Sequence, residues 1–381
     1  MKGLYYNLKD KDWRSLTIFV WAFLLFSVIN LLIYYFNDHL LIKSSRLYSS
    51  VSSQEIYEKI AEIKSDRNKK VVFLGGSVLW GSAVSSSSYT IPEFFKKRIG
   101  KNIHVYNLAF PSARLADIYL INYLLKNDVD LFVVDINYEF FQNDINDSAK
   151  ENKSSVLRMR SLLNDNFQSV KDSNPQFVSC LNNAGLIDGL EKPGLERILQ
   201  KKLQLIPIIK FKDKINNYIF KKHPSLIIQS LFNLISELDK KPIFSSFSNI
   251  FKSQEELIDE FNNKLIISST HNPYKEELIS DNQINICIGK EYANYVRSNN
   301  IPTVFYLLPL NPAILESFSS SSIYQTNKQI IVRAFDNNII DLSDILQANY
   351  FVDIYHLTKT GNDVFAGLLF DRIKLISKSL K

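Results

Sequence analysis

Three side chains in this sequence are of the types that together perform acyl transfer: a serine, a histidine and an aspartate. The serine is Ser77, in the stretch Val71-Val72-Phe73-Leu74-Gly75-Gly76-Ser77-Val78-Leu79-Trp80-Gly81. Four apolar residues rich in β-branched and aromatic types run into two glycines, which reads as a short buried strand ending in a tight turn. Ser77 is the first side chain after that turn able to do chemistry, and α/β proteins often place a nucleophile there. A phosphate-binding or purely structural turn is the competing reading of the stretch. The histidine is His356, three residues after the aspartate in Asp353-Ile354-Tyr355-His356. A serine needs a base to accept its proton, and a base needs a third group to orient it, so these residues have the composition of a triad. The remaining histidines lack such a partner in sequence. His39 flanks a long apolar run, His104 sits in a strand, and His223 and His271 lie beside prolines, so all four are read as structural or solvated.

The elements that must bring Ser77 and His356 together follow an α/β alternation. The first strand is Val71 to Leu74, and Pro92 with Glu93 to Ile99 makes a helix. Ile103 to Asn107 is a second strand, Ala113 to Lys126 a second helix, and Asp130 to Asp135 a third strand, nearly continuous in apolar residues as doubly covered strands are. Between Phe141 and Ile284 no strand is convincing. Helical patches such as Leu195 to Leu205 and Leu226 to Leu238 mark a mainly helical insertion. The alternation then resumes with a helix over Ile286 to Arg297, a strand over Thr303 to Leu308, a helix over Gln325 to Phe335, a short strand at Ile339 to Asp341, and a closing helix over Thr358 to Leu380. The expected fold is therefore a doubly wound, five-stranded parallel sheet of flavodoxin-like type, in two parts (70–141 and 285–381) interrupted by the insertion at 142–284. In such a sheet the loops past the carboxyl ends of the strands converge on one crevice. That places Ser77, the run Asn107 to Arg114, the run Ile136-Asn137-Tyr138 and the pair Asp353/His356 together. Arg114 has two readings, a grip on an anionic substrate group or a solvated helix-start arginine.

The amino terminus speaks to the compartment. Residues 15–36 read SLTIFVWAFLLFSVINLLIYYF without a charge, about the length that spans a bilayer as a helix. Lys2, Lys9, Lys11 and Arg14 precede the run and only Lys43 and Arg46 follow closely. The positive-inside bias therefore puts 1–14 in the cytoplasm and the rest outside it, behind a single signal anchor and a stalk with a leading helix over 37–69. The run is too long for a cleaved signal peptide and no small-x-small site follows it. The formal charge of +6 is dispersed among acidic residues, with no basic patch or motif, so no nucleic-acid partner is expected. The two cysteines, Cys180 and Cys287, have neither metal spacing nor a legible framework and are read as small buried side chains rather than a bridge. There is no Walker loop, no Gly-x-Gly-x-x-Gly after a strand, no Gly-x-Ser-x-Gly elbow and no metal-ligand spacing, so neither a cofactor nor a metal is expected.

In these blocks the chain resembles the SGNH (GDSL-like) hydrolases. The family's Gly-Asp-Ser with a glycine four residues on is matched by Gly75-Gly76-Ser77 and Gly81, with Gly76 in place of the aspartate. Its second block is matched by Asn107, with Ser112 where an oxyanion-hole glycine is expected. Its Gly-x-Asn-Asp block retains only Asn137, and its Asp-x-x-His is intact at Asp353 and His356. The resemblance covers about Val71 to Phe141 and Ile301 to the end. It implies acyl transfer through Ser77, with His356 as base, Asp353 as its orienting partner, and an oxyanion site from the N–H groups of Ser77 and Ser112 and the amide of Asn137. It also implies a membrane-anchored, extracytoplasmic esterase or O-acyltransferase acting on an acylated cell-surface polysaccharide or glycolipid beside a multi-span membrane acyltransferase. The alternative is an inactive scaffold that binds a glycan or such a partner. Whether His356 reaches Ser77 discriminates between them.

Overall fold

The structure is a computed structural model. It describes residues 20–32, 47, 53–84, 86–141, 153–164, 166–187, 274 and 277–376. Five strands, β1 (Lys69–Leu74), β2 (Ile103–Asn107), β3 (Leu131–Ile136), β4 (Thr303–Leu307) and β5 (Ile339–Asp341), form one sheet in the order β2-β1-β3-β4-β5. Every pairing is parallel, in register from Val71 against Leu131 and from Phe132 against Thr303. This is the doubly wound order whose direction of winding reverses between β1 and β3, where loops leaving the two strands part and open a crevice. The cause is visible in the residues: β3 is buried at all six positions and β1 at all but its first, so both faces need cover.

The cover is helical. On one face Phe73 of β1 meets Phe95 of α4 (Ile91–Lys96), which meets Phe370 of α12 (Lys359–Ile376), edge to face at 5.1 and 5.4 Å. On the other, Phe305 of β4 packs on Tyr292 of α9 (Ile284–Ser298) at 5.0 Å, and Tyr292 on Tyr119 of α5 (Leu115–Leu125) at 5.4 Å. The helix before the sheet, α2 (Ser53–Ser65), buries Ile56, Ile60 and Ile63, a spacing that puts all three on one helical face. Predicted and observed elements agree in type and order, with ends differing by a few residues. Sequence reading passes over two short helices, α3 (Ser77–Trp80) and α10 (Pro312–Ser319), the second set directly before α11 (Ser322–Ala334).

The described start of the insertion is helical, as expected: α6 (Lys153–Asn164), α7 (Phe167–Ser173) and α8 (Pro175–Asn183). The patches Leu195 to Leu205 and Leu226 to Leu238 lie outside the described residues. One expectation is overturned. Cys180 of α8 and Cys287 of α9 form a disulfide, with Cα atoms 6.0 Å apart across 107 residues of sequence. Cys180 is buried and Cys287 partly buried; Tyr119 stacks on Phe177 of α8 at 3.9 Å and meets Tyr292 of α9 edge to face, which lays the two helices side by side. No sequence spacing encodes that adjacency.

The chain divides into two units, Met1–Lys43 with Lys192–Lys252, and Ser44–Glu191 with Ser253–Lys381. The sheet and everything above belong to the second. In the first, residues 20–32 form helix α1, whose apolar side chains are exposed, Trp21 at 68 % and Leu25 at 63 %. Among the described residues no helix is long and apolar enough to cross a membrane; residues 15–19 and 33–36 of the expected span lie outside them.

Candidate active site

Ser77 is the first residue of α3, a single helical turn set directly on the end of β1. Gly76 precedes it in extended backbone, and Gly81 ends the turn at φ 86°, a left-handed angle that glycine takes without steric cost. The turn is braced from β2: the Asn107 amide donates to the Leu79 carbonyl at 2.9 Å and its oxygen accepts the Ala109 N–H at 3.0 Å. Backbone bonds from Leu108 N–H to the Phe73 carbonyl and from Phe110 N–H to the Gly75 carbonyl run the loop after β2 alongside the nucleophile turn. The second block is thereby held beside the first.

The Asp353/His356 loop is closed on itself. Phe351 bridges Leu357, and the Val352 N–H donates to the His356 carbonyl at 2.8 Å. One Asp353 oxygen accepts the N–H groups of Tyr355 and His356 at 2.9 and 2.6 Å; the other accepts His356 Nδ1–H at 2.7 Å. Burial alone would raise the Asp353 pKa, but the imidazole and the two backbone donors outweigh it and hold the carboxyl below its usual range. An ionised carboxylate only accepts, so Nδ1 carries a proton, and in the neutral ring Nε2 keeps its lone pair. Nε2 lies 2.9 Å from Ser77 Oγ, 279 residues away in sequence, so the serine hydroxyl donates to it. Ser77, His356 and Asp353 form one unbroken hydrogen-bonded chain, with Asp353 and His356 both 3 % exposed.

The three expected oxyanion donors are placed as follows. Ser77 N–H, at the start of α3, and Ser112 N–H have no acceptor among the described residues. Ser112 sits at φ 58°, in the left-handed region where the resemblance expects glycine. The backbone geometry of that position is thus retained under a different side chain. Asn137, buried at the end of β3, has its oxygen fixed by the Glu139 N–H at 3.0 Å, and no acceptor among the described residues takes its Nδ2 hydrogens. A fixed oxygen defines which way the amide nitrogen faces.

Four contributors escape sequence reading. Asn311, after β4, donates through its amide to the Asp353 carbonyl at 2.9 Å and through its backbone to the Ile354 carbonyl at 2.8 Å, so it pins the loop holding the triad acid. Its signal was Asn311-Pro312, a turn pair at a strand end. Asp135 of β3 lies fully buried under the nucleophile turn and accepts the Gly76 N–H at 3.2 Å on each oxygen. A Cβ at Gly75 would overlap that carboxylate, which is why Gly75 is glycine. Burial, only partly opposed by the Gly76 N–H, pushes the Asp135 pKa up to about 7. Tyr355 packs its ring on His356 at 4.5 Å, and burial together with the Glu139 and Asp353 carboxylates raises its phenol. Arg158 reaches the Ser112 carbonyl from α6. Arg114 is partly buried at the start of α5 rather than solvated, and burial lowers its pKa. Of the other histidines, His104 shares a hydrogen bond with Asp66 on β2, away from the strand ends that form the crevice, and His39, His223 and His271 lie outside the described residues. Among the described residues no group of three or more His, Cys, Asp or Glu side chains could hold a metal ion.

The arrangement can deprotonate a serine and present N–H groups to a developing negative charge, the two requirements of acyl transfer. No family model and no curated protein matches the chain.

Proposed function

We propose that this protein is a serine acyl-ester hydrolase or O-acyltransferase working through Ser77, His356 and Asp353. The observation that carries the reading is the 2.9 Å contact between His356 Nε2 and Ser77 Oγ, with His356 Nδ1–H held by Asp353 at 2.7 Å. Ser77 Oγ attacks the acyl carbonyl as its proton passes to Nε2. The N–H groups of Ser77 and Ser112 and the Asn137 amide receive the oxyanion. His356 then returns the proton to the departing alcohol, leaving an acyl-serine. Water completes hydrolysis, whereas a sugar hydroxyl completes transfer.

The proposed substrate is an acylated cell-surface polysaccharide or glycolipid, met outside the cytoplasm by a domain anchored through residues 15–36. Three observations support the setting: the uncharged segment with its basic flank, the exposed apolar side chains of α1, and the Cys180–Cys287 disulfide, a bond that persists mainly in oxidising compartments. The resemblance to SGNH hydrolases supplies the glycan and the multi-span acyltransferase partner. The scaffold alternative draws on Gly76 and Ser112, which depart from the family's blocks, but the reach of His356 to Ser77 weighs against it.

The test is chemical. A fluorophosphonate probe on the purified full-length protein is expected to label Ser77, and acetyl release from surface glycans is expected to stop in Ser77→Ala cells. Absence of labelling, with ester turnover untouched by Ser77→Ala, would remove the mechanism.

A further inference from the structure

The residue expected to supply the second oxyanion donor sits in a backbone conformation that serine does not choose by itself. Ser112 is the one member of the loop after β2 at positive φ, and a left-handed serine needs contacts that hold it there. Within its own loop it has the Ala113 N–H bond to the Phe110 carbonyl at 3.2 Å. The stronger tie comes from the insertion. Arg158 Nη2 of α6 donates to the Ser112 carbonyl at 3.0 Å and to Asp117 Oδ2 at 3.3 Å, while the guanidinium lies over the Phe110 ring at 4.4 Å. Arg158 is 9 % exposed and Asp117 is fully buried. Asp117 also accepts the Arg114 N–H at 3.0 Å at the head of α5. One guanidinium therefore fastens the carbonyl of Ser112, the ring of Phe110 two residues earlier, and the first turn of the helix that follows.

We propose that Arg158 is a positioning residue for the reaction at Ser77, and that holding the oxyanion turn in its left-handed form is a task of the insertion. The proposal rests on the serine acyl-transfer reading above. Anchoring the Ser112 carbonyl while the residue stays in the left-handed region, φ 58°, restricts the plane of the N–H before it. Among the described residues of the insertion, the helices α6 to α8 are tied to the sheet domain at several points. Ser161 of α6 bonds Ser53 of α2 at 2.9 Å, Tyr57 donates to the Leu162 carbonyl at 3.3 Å, Tyr123 of α5 bonds Ser169 of α7 at 2.6 Å, and α8 is covalently joined to α9. A planar, always-charged guanidinium suits the task because it bonds two acceptors while stacking on a ring, which an ammonium does not reproduce.

The experiment uses the full-length protein in detergent, p-nitrophenyl acetate as substrate and phenylboronic acid as a probe whose tetrahedral serine adduct places an oxygen where the oxyanion forms. Arg158→Gln is expected to lower kcat by about 10- to 100-fold, less than direct loss of a donor, with KM within about twofold. Boronate affinity should fall by the same factor, and the pH at which kcat/KM rises should stay put because the triad is untouched. Arg158→Lys should recover part of both losses. Arg158→Gln with kcat and boronate affinity within about twofold of wild type would overturn the proposal, as would a fall in kcat with boronate affinity unchanged. If Arg158→Gln fails to fold, Arg158→Lys decides by the same parallel loss or its absence. Wild-type turnover equal to that of Ser77→Ala would instead overturn the underlying reading and this proposal with it, an outcome distinct from an active, Ser77-dependent enzyme indifferent to Arg158.

Discussion

Replacing Asp135 by asparagine isolates the electrostatics beneath the nucleophile turn. The carboxylate is fully buried, faces no cation among the described residues, and receives only the Gly76 N–H, so burial pushes its pKa up to about 7 from an ordinary 3.8. Below pH 3.8 folded and unfolded chains both hold the proton. Between 3.8 and 7 the folded state keeps it while the unfolded chain releases it, so the folded state binds more protons and stability falls as pH rises. Above 7 both are ionised and the whole penalty is present. A displacement of about 3 pH units at 1.36 kcal/mol each makes that penalty about 4 kcal/mol. Asparagine has the same shape, keeps an oxygen for the Gly76 N–H and does not titrate. The stability difference between Asp135→Asn and wild type is therefore expected to move by about 4 kcal/mol in favour of the variant from pH 4 to pH 8, or ~10 °C in relative melting temperature. Thermal melts of both proteins across that range measure it, and other titrating groups cancel in the difference. A difference that stays flat from pH 4 to pH 8 would refute the burial argument.

Other substitutions probe the neighbouring parts. Asp353→Asn should leave the fold intact but lower kcat by about 10³- to 10⁴-fold, because an amide no longer selects the Nδ1–H tautomer of His356; steady-state ester hydrolysis checks it. Ser112→Gly should raise stability by about 1 kcal/mol, the cost of a left-handed non-glycine residue, seen as a higher melting temperature. Gly75→Ala should prevent normal folding, since its Cβ meets Asp135, whereas Gly76→Ala, with open space at that position, should express as a folded protein. Cys180→Ser should destabilise by about 2–4 kcal/mol through loss of a cross-link over a long loop, and reductant should lower the wild-type melting temperature but not that of the variant.

The sheet was legible because its strands are punctuated. Val71 to Leu74 runs into two glycines, Leu131 to Val134 is an unbroken apolar run buried on both faces, and α4 between them carries proline in its first turn. The meeting of Ser77 with the Asp353/His356 pair was legible because both sit just past strand ends, where topology rather than sequence distance decides proximity. Arg158 was not legible, because its role depends on α6 of the insertion folding back over the loop after β2. Neither was the disulfide: Cys180 and Cys287 carry no spacing signal, and the packing of Tyr119 against both Phe177 and Tyr292 reveals why their helices lie together. Asp135 belongs to a strand that is apolar elsewhere and buried throughout, and a lone ionisable side chain in such a strand must find a partner, here the Gly76 N–H, which strand patterning does not name.

The departures from the resembled blocks are less damaging to the proposed chemistry than they look, for a physical reason. Motifs compare side chains, while an oxyanion site is largely built from backbone N–H groups and needs only that they point the right way without being spent elsewhere. Ser112 at φ 58° with its N–H unused among the described residues meets that need as glycine would, at a strain that Arg158 offsets. The carboxylate in the first block is likewise relocated. The resemblance expects aspartate at 76 and glycine two residues before Asn137; the chain has Gly76 and Asp135, and the two touch through the Gly76 N–H. A Gly76→Asp substitution would put a second carboxylate beside a buried one that already resists ionisation, and two such groups cannot both be charged at close range. The exchange is therefore coupled: once Asp135 occupies the space under the turn, glycine at 75 is required by volume and a neutral residue at 76 by charge.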